Sequence, residues 1–371
     1  MYDYAFAPGD GIGGRDRYDD AARLMFQLRP RTVLLFERKL KTLQSLIKRL
    51  DKEKPIEDIV IASHGNRHGM LSLPMYPGQG KNNRTTYWTL QETLADPQKS
   101  IRIPAALFDR GPSEPIVNFL HIKGCNIGKN EPFLRKFRAA LKDEVFVTAP
   151  KHFHGLLPLQ NHGVVEFMDY EFFLRRTTPF KDRAEAIQTF KNAKFKFTDG
   201  KLVPDQCWNL WIPRKIVKTS KTITNQKLKQ KIGKLTTVPI RQFFRVSKVK
   251  FTHSILFPTR KDVPKDRELR LEALEDNIRD NPYFSETQEY PAYKLYGFPT
   301  LNDFYDGYTW TFKQNGRVLQ CVGRYYEYTM LVPITNTTDN TLVANFYPGV
   351  RAKTPAFSQL STNDTAFFLT V

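Results

Sequence analysis

The feature that most constrains the fold of this chain is an alternation, in its first third, of short aliphatic runs with longer segments of helical spacing. Tyr4-Ala5-Phe6-Ala7 is a short apolar run, and Arg15 to Leu28 follows with Ala21, Leu24, Met25 and Leu28 on one side and charges opposite. Thr32 to Phe36 reads as a strand. Glu37 to Leu50 has Leu40, Leu43, Leu46, Ile47 and Leu50 at steps of three and four, the mark of an amphipathic helix closed by Pro55. Ile59 to Ala62 is again aliphatic. Strand, helix, strand, helix, strand is the order of a parallel sheet with right-handed crossovers.

Two of the apolar runs end in reactive side chains. Ile59-Val60-Ile61-Ala62-Ser63-His64-Gly65 ends in an imidazole, and Val117-Asn118-Phe119-Leu120-His121-Ile122-Lys123-Gly124-Cys125 ends in a thiol. Open α/β sheets place their sites at strand C-termini, and neighbouring parallel strands would bring His64 and Cys125 together. An imidazolium beside a thiol lowers its pKa from ~8.5 into the range of about 3.5 to 7.5, where the nucleophilic thiolate is available. Gly65 can present its N–H without a blocking side chain, and with the N–H of Cys125 it could form an oxyanion hole. Gly124 leaves room for a sharp turn before the thiol. Taken singly, either residue reads as structural: buried cysteines are inert small hydrophobes, and a histidine at a strand end often satisfies a backbone group. The pair in this context reverses that reading.

The motifs Ala62-Ser63-His64-Gly65 and Lys123-Gly124-Cys125-Asn126, each closing an apolar strand, resemble the caspase-haemoglobinase fold of cysteine peptidases over about Tyr4 to Leu174. The resemblance implies a mainly parallel sheet flanked by helices, with His64 as general acid/base, Cys125 as nucleophile, and Gly65 and Cys125 as oxyanion donors. Ser63-His64-Gly65 follows the repeat-associated bacterial branch rather than a Gly-His-Gly pattern. The loop after the first strand often shapes the substrate pocket in this fold, which points to Asp10, Arg15, Asp16 and Arg17. Both signs of charge are present there, so specificity stays open. No cofactor is required by such chemistry. Toxin protease domains of this fold are activated by inositol hexakisphosphate on a basic surface, so an inositol phosphate or other anionic activator, or an activating protein, is an expectation alongside a protein substrate.

About 200 residues after Leu174 have no counterpart in that resemblance. The expected division is 1–195, a peptidase domain, and 196–371, a basic, β-rich region for recognition, regulation or partner binding. Asn66 to Thr86 is rich in Gly, Pro and Asn and reads as a surface loop, and Tyr87 to Ala95 as a short helix. Glu131 to Leu141 is a helix, Glu144 to Ala149 a strand, and Gly163 to Leu174 a strand that could complete the sheet. Ala184 to Asn192 and Lys265 to Asp280 are helices. Asn315-Gly316 between Tyr308–Phe312 and Arg317–Leu319 signals a hairpin in an antiparallel C-terminal region.

The formal charge of +19 favours anionic partners. Twelve Lys and Arg with no Asp or Glu lie between Arg214 and Lys250. This supports a second reading, a non-enzymatic protein that binds nucleic acid or another anion through 214–250 on a caspase-like scaffold, with Phe243, Phe244 and Phe251 stacking bases. Gly9-Asp10-Gly11-Ile12-Gly13-Gly14 matches a dinucleotide-binding pattern, but so short a preceding strand favours an active-site loop. His68 lacks the Glu of an HExxH helix, His121 reads as core or site rim, and His152, His154 and His162 as a polar loop, so no metal site is expected. Three cysteines, Cys125, Cys207 and Cys321, make no disulfide framework and suit a reducing compartment. No apolar run approaches the roughly 20 residues of a membrane span, so a cytoplasmic protein is expected.

Overall fold

A computed structural model describes residues 2–6, 17–28, 32–35, 42–50, 56–79, 84–96, 101, 119–143, 145–158, 164–196, 202, 211–213, 242–333, 357–358, 362–363, 365 and 367–371. It is a mixed α/β chain of two compact units. One comprises Met1–Tyr170, Lys218–Ile240 and Pro333–Val371, and the other Glu171–Val217 and Arg241–Val332. The division differs from the break expected at residue 195, because the chain leaves the first unit within a strand and returns to it at its C-terminal end.

In the first unit, β1 (Tyr2–Phe6), α1 (Arg17–Leu28), β2 (Thr32–Leu35), α2 (Leu43–Leu50) and β3 (Ile56–Ala62) follow the expected order. After β4 (Gly65–Asn66), β5 (Met70–Leu71), β6 (Thr85–Thr86) and α3 (Tyr87–Ala95) come β7 (Phe119–Lys123), α4 (Glu131–Ala140), β8 (Phe146–Pro150), β9 (Phe153–Pro158) and β10 (Val164–Arg176). The main sheet runs β2-β1-β3-β7-β8, all parallel, and β16 (Phe368–Thr370) adds an antiparallel edge beside β8. Ile59, Val60, Ile61 and Ala62 of β3 are all buried, as a parallel strand covered on both faces requires. Val60 and Ala62 pack with Ala21, Ala22, Met25 and Phe26 of α1. On α2, Leu43, Leu46, Ile47 and Leu50 form the buried stripe that their spacing predicts.

Two expectations need correction. Asn66 to Thr86 is not a plain surface loop: β4, β5 and β6 form a small antiparallel sheet, and Leu71, Leu73 and Met75 are buried. The strand expected at Gly163 to Leu174 forms, as β10, but it does not complete the main sheet. It pairs antiparallel with β9 and parallel with β15 (Phe357–Ser358), and the edge it was expected to fill belongs to β16, where Phe368 is 2% exposed.

The second unit contains α5 (Arg183–Asn192), β11 (Trp211–Pro213), β12 (Gln242–Leu256), α6 (Arg267–Arg279), α7 (Ala292–Leu295), α8 (Leu301–Asp306), β13 (Thr309–Asn315) and β14 (Val318–Pro333). β12 and β14 pair antiparallel from Phe243↔Leu331 to Leu256↔Val318. The Asn315-Gly316 hairpin forms between β13 and β14, with Gly316 at φ +61°, a conformation that favours glycine. One face of this sheet is closed by rings: Phe251 lies 5.2 Å from Phe304 and 6.1 Å from Trp310, while Phe304 stacks against Phe284 and Tyr308. Phe251 is therefore core, not a base-stacking residue. The side chains of Phe243 and Phe244, and residues 214–241, lie outside the described residues.

Truncating Phe368 tests the return of the C-terminal end. Phe368→Ala is expected to cost about 3–5 kcal/mol, the usual cost of emptying a buried aromatic site, read as a lower urea midpoint. A change under about 1 kcal/mol, within the range of ordinary surface substitutions, would show that β16 is not part of the sheet in solution.

Candidate active site

The paired strands β3 and β7 set the geometry. Their register runs from Asp58↔Phe119 to Ala62↔Lys123 at the C-terminal edge of the sheet, and the same register continued two residues beyond its last pair would align His64 with Cys125. The Ser63 N–H donates to the Lys123 carbonyl at 3.0 Å, continuing the ladder to the site. A Cβ on Gly124 would lie 2.6 Å from the Ser63 carbonyl oxygen, so only glycine fits there. Beyond the thiol, Asn126 takes φ 54° and donates its N–H to the His152 carbonyl at 2.9 Å. The Asn130 side chain then caps α4 by accepting the Phe133 N–H at 3.0 Å. Cys125 thus sits on a tight strand-to-helix turn, half-buried, with its thiol donating to the His154 carbonyl at 3.1 Å.

His64 is half-buried too, and its ring centroid lies 5.1 Å from that of Tyr18. The Gly65 nitrogen is 3.5 Å from where a Gly124 Cβ would stand, which puts this amide beside the turn that presents the thiol. Asp10, Arg15 and Asp16 lie outside the described residues, as does the side chain of Arg17, the first residue of α1.

Beneath the pair is a buried charged network that the sequence reading did not assemble. Lys123 Nζ donates to Glu166 Oε1 at 2.8 Å, and His154 Nε2 lies 2.7 Å from the same oxygen. Lys123 is 1% exposed, Glu166 0% and His154 1%. Tyr18 closes the arrangement: its hydroxyl is 3.0 Å from His154 Nδ1 and 2.7 Å from the Lys123 carbonyl. With Nε2–H directed at the carboxylate, a neutral His154 offers Nδ1 as an acceptor. The single Tyr18 hydroxyl hydrogen then serves either that nitrogen or the Lys123 carbonyl. One hydroxyl therefore links the His64 ring neighbour, the turn before Cys125, and the residue whose carbonyl holds the thiol.

Burial acts on both titrating partners. It lowers the His154 pKa, and the hydrogen bond His154 makes to Glu166 offsets this only in part. Burial alone would raise Glu166, but the Lys123 charge and the His154 hydrogen bond outweigh it and hold the carboxyl well below its ordinary range. His154 is thus a buried strand residue rather than part of a polar loop. His152 is also buried, packed edge-on against Tyr170 at 4.8 Å, and His162 lies outside the described residues. His121 is core, between Thr148 Oγ1 at 2.6 Å and Asp58 Oδ2 at 3.2 Å. The available sequence signal was a charged residue directly following an apolar run, Lys123 after Leu120-His121-Ile122 and Glu166 after Val164-Val165.

Cys321 is buried on β14, its thiol pushed up to about 11 by desolvation, which leaves it unreactive at neutral pH. Cys207 lies outside the described residues. Among the described residues no cluster of three His, Cys, Asp or Glu could hold a metal ion. No family model, curated protein or solved structure matches the chain.

The network makes stability depend on acid. Glu166 is held down to about 2, so its contribution is complete above about 4.5, the ordinary carboxylate value, and is lost as pH falls from there towards about 2. His154 is held below 6.5, so its contribution is likewise lost as pH falls beneath that value. Denaturant unfolding is expected to show stability declining from pH 7 to pH 4, with a smaller decline in Lys123→Met/His154→Leu/Glu166→Leu. At pH 7, Glu166→Gln, which strands the Lys123 charge, should cost about 3–5 kcal/mol, while the apolar triple variant should be as stable as the wild type or more so. Equal pH dependence in the two proteins would contradict the assignment.

Proposed function

We propose that the first unit is a cysteine peptidase that hydrolyses peptide bonds through a thioester on Cys125. The observation that supports this reading is the β3–β7 register, whose last pair, Ala62↔Lys123, stands two residues before both His64 and Cys125. The Cys125 thiolate attacks the scissile carbonyl carbon, forming a C–S bond and an oxyanion held by the N–H groups of Gly65 and Cys125. The intermediate collapses with cleavage of the C–N bond, and the His64 imidazolium gives its proton to the leaving amine. Water then attacks the thioester as His64 takes its proton, releasing the acid and restoring the thiol.

Deprotonation of Cys125 removes the hydrogen that it donates to the His154 carbonyl. The resting thiol is thus held as donor until His64 accepts its proton. The chain charge of +19 favours an anionic activator of the inositol phosphate type, and the free thiols Cys125 and Cys321 suit a reducing compartment such as the cytoplasm. Among the described residues no helix is long and apolar enough to cross a membrane.

Alkylation by iodoacetamide, read peptide by peptide across pH 5 to 9, tests this function. An ordinary thiol with pKa ~8.5 is only about 1% thiolate near pH 6.5, so rapid labelling of Cys125 there marks an activated pair. Cys125 is expected to label at least about tenfold faster than Cys321 at that pH, and His64→Ala should abolish the advantage. Equal slow labelling of both cysteines, unchanged by His64→Ala, would overturn the peptidase reading.

A further inference from the structure

The second unit carries an open sheet face that owes nothing to the thiol chemistry. In an antiparallel ladder, directly paired residues point to the same side. The register Lys248↔Tyr326, Lys250↔Arg324↔Thr309, Thr252↔Val322↔Thr311 and Ser254↔Gln320↔Lys313 therefore defines one face across β12, β14 and β13. The opposite face, with Phe251, Trp310 and Tyr325, is the aromatic core. Sequence composition alone had merged the two, crediting Phe251 and the lysines to one surface.

The outer face is exposed along both flanking strands: Lys248, Lys250, Thr252 and Ser254 on one, Thr309, Thr311 and Lys313 on the other. It contains no acidic residue at any position of the three strands. Among the described residues, Lys248, Lys250, Lys313 and Arg324 form no ion pair; Arg324 Nη1 donates only to the Thr311 hydroxyl, at 3.0 Å. The Lys248 ammonium lies 5.5 Å from the centre of the Tyr326 ring, a half-buried aromatic on the same face.

We propose that this face docks a single-stranded nucleic acid, held chiefly through its phosphates. Alternate residues of a strand are about 7 Å apart and three strands span about 10 Å, a platform of the width of one extended polynucleotide rather than of a duplex. Unpaired cations would neutralise phosphates, and the hydroxyls of Thr252 and Ser254 would donate to phosphate oxygens. Tyr326 supplies one ring for base stacking, as sheet platforms for single strands do. Exposed Val246 and Leu256 lie on the same face at either end of this stretch of β12, but the residues beside the cations on the flanking strands are Thr252, Ser254, Thr309 and Thr311, which suits phosphate better than an apolar membrane surface.

Fluorescence anisotropy of the full chain with a labelled, mixed-sequence DNA strand of about 20 nucleotides, longer than one such platform covers, tests the proposal over a salt series. Wild-type protein is expected to bind with affinity that falls steeply with salt. In Lys248→Gln/Lys250→Gln/Lys313→Gln/Arg324→Gln, affinity should drop at least about tenfold, and the log–log salt slope should shrink by about 3, near 0.7 for each lost phosphate contact. All four side chains are surface groups, and circular dichroism with a urea midpoint would verify an intact fold. No binding at low salt, an unchanged slope in the variant, or tighter binding to duplex DNA or to phosphatidylserine vesicles would each overturn it.

Discussion

Everything at the candidate site depends on the parallel pairing of β3 with β7. A strand slipped by one residue turns every side chain to the other face, and here it would set His64 level with Gly124 or Asn126 instead of with the thiol. The register is specified twice. Asp58 of β3 accepts the Phe119 N–H and contacts His121 Nε2 on β7, contacts that a slip would break, and Gly124 passes so close to the Ser63 carbonyl that a side chain there would force the strands apart. The chemistry of the site is in this sense a product of the sheet's packing.

The second determinant is costly and therefore informative. Desolvating Lys123 and Glu166 costs several kcal/mol per ion before their attraction offsets it, and apolar residues of similar volume would often do as well for stability. The two ions and His154 nonetheless lie in contact through Glu166 next to the Cys125 turn, and two of the three, Lys123 and His154, have a second connection to it. Lys123 precedes Gly124-Cys125, its carbonyl faces the Tyr18 hydroxyl, and His154 both contacts Tyr18 and presents its carbonyl to the thiol. Tyr18 in turn packs on His64. These contacts fix the turn that carries Cys125 and the ring that packs on His64.

The parts of this structure that were legible in the sequence are those with a local signal. α1, α2 and α4 follow from helical spacing, the hairpin from Asn315-Gly316, and the reactive strand ends from where aliphatic runs stop. What the sequence did not disclose are pairings between distant segments. β16 fills the sheet edge from residues 368–370, and the buried network joins residues 18, 123, 154 and 166, whose separation leaves no periodic trace. The excursion after Gly65 misled because its Gly, Pro and Asn content resembles a solvated loop, while its scattered Leu and Met residues are in fact buried. Phe251 misled for a different reason: composition registers which residues a basic strand holds, but only its two-residue period shows that rings and lysines face opposite ways.

The central claim, that this register sets position 64 beside Cys125, is tested most directly by a His64→Cys substitution under mild oxidation, followed by intact-mass and peptide mapping. Neighbouring strands are about 4.8 Å apart, within the roughly 4.4–6.8 Å between Cα atoms that a disulfide spans. The account predicts rapid loss of two thiols and one linked peptide pair joining positions 64 and 125. Persistent free thiols at both positions, or Cys125 bridged to Cys207 or Cys321 instead, would contradict it.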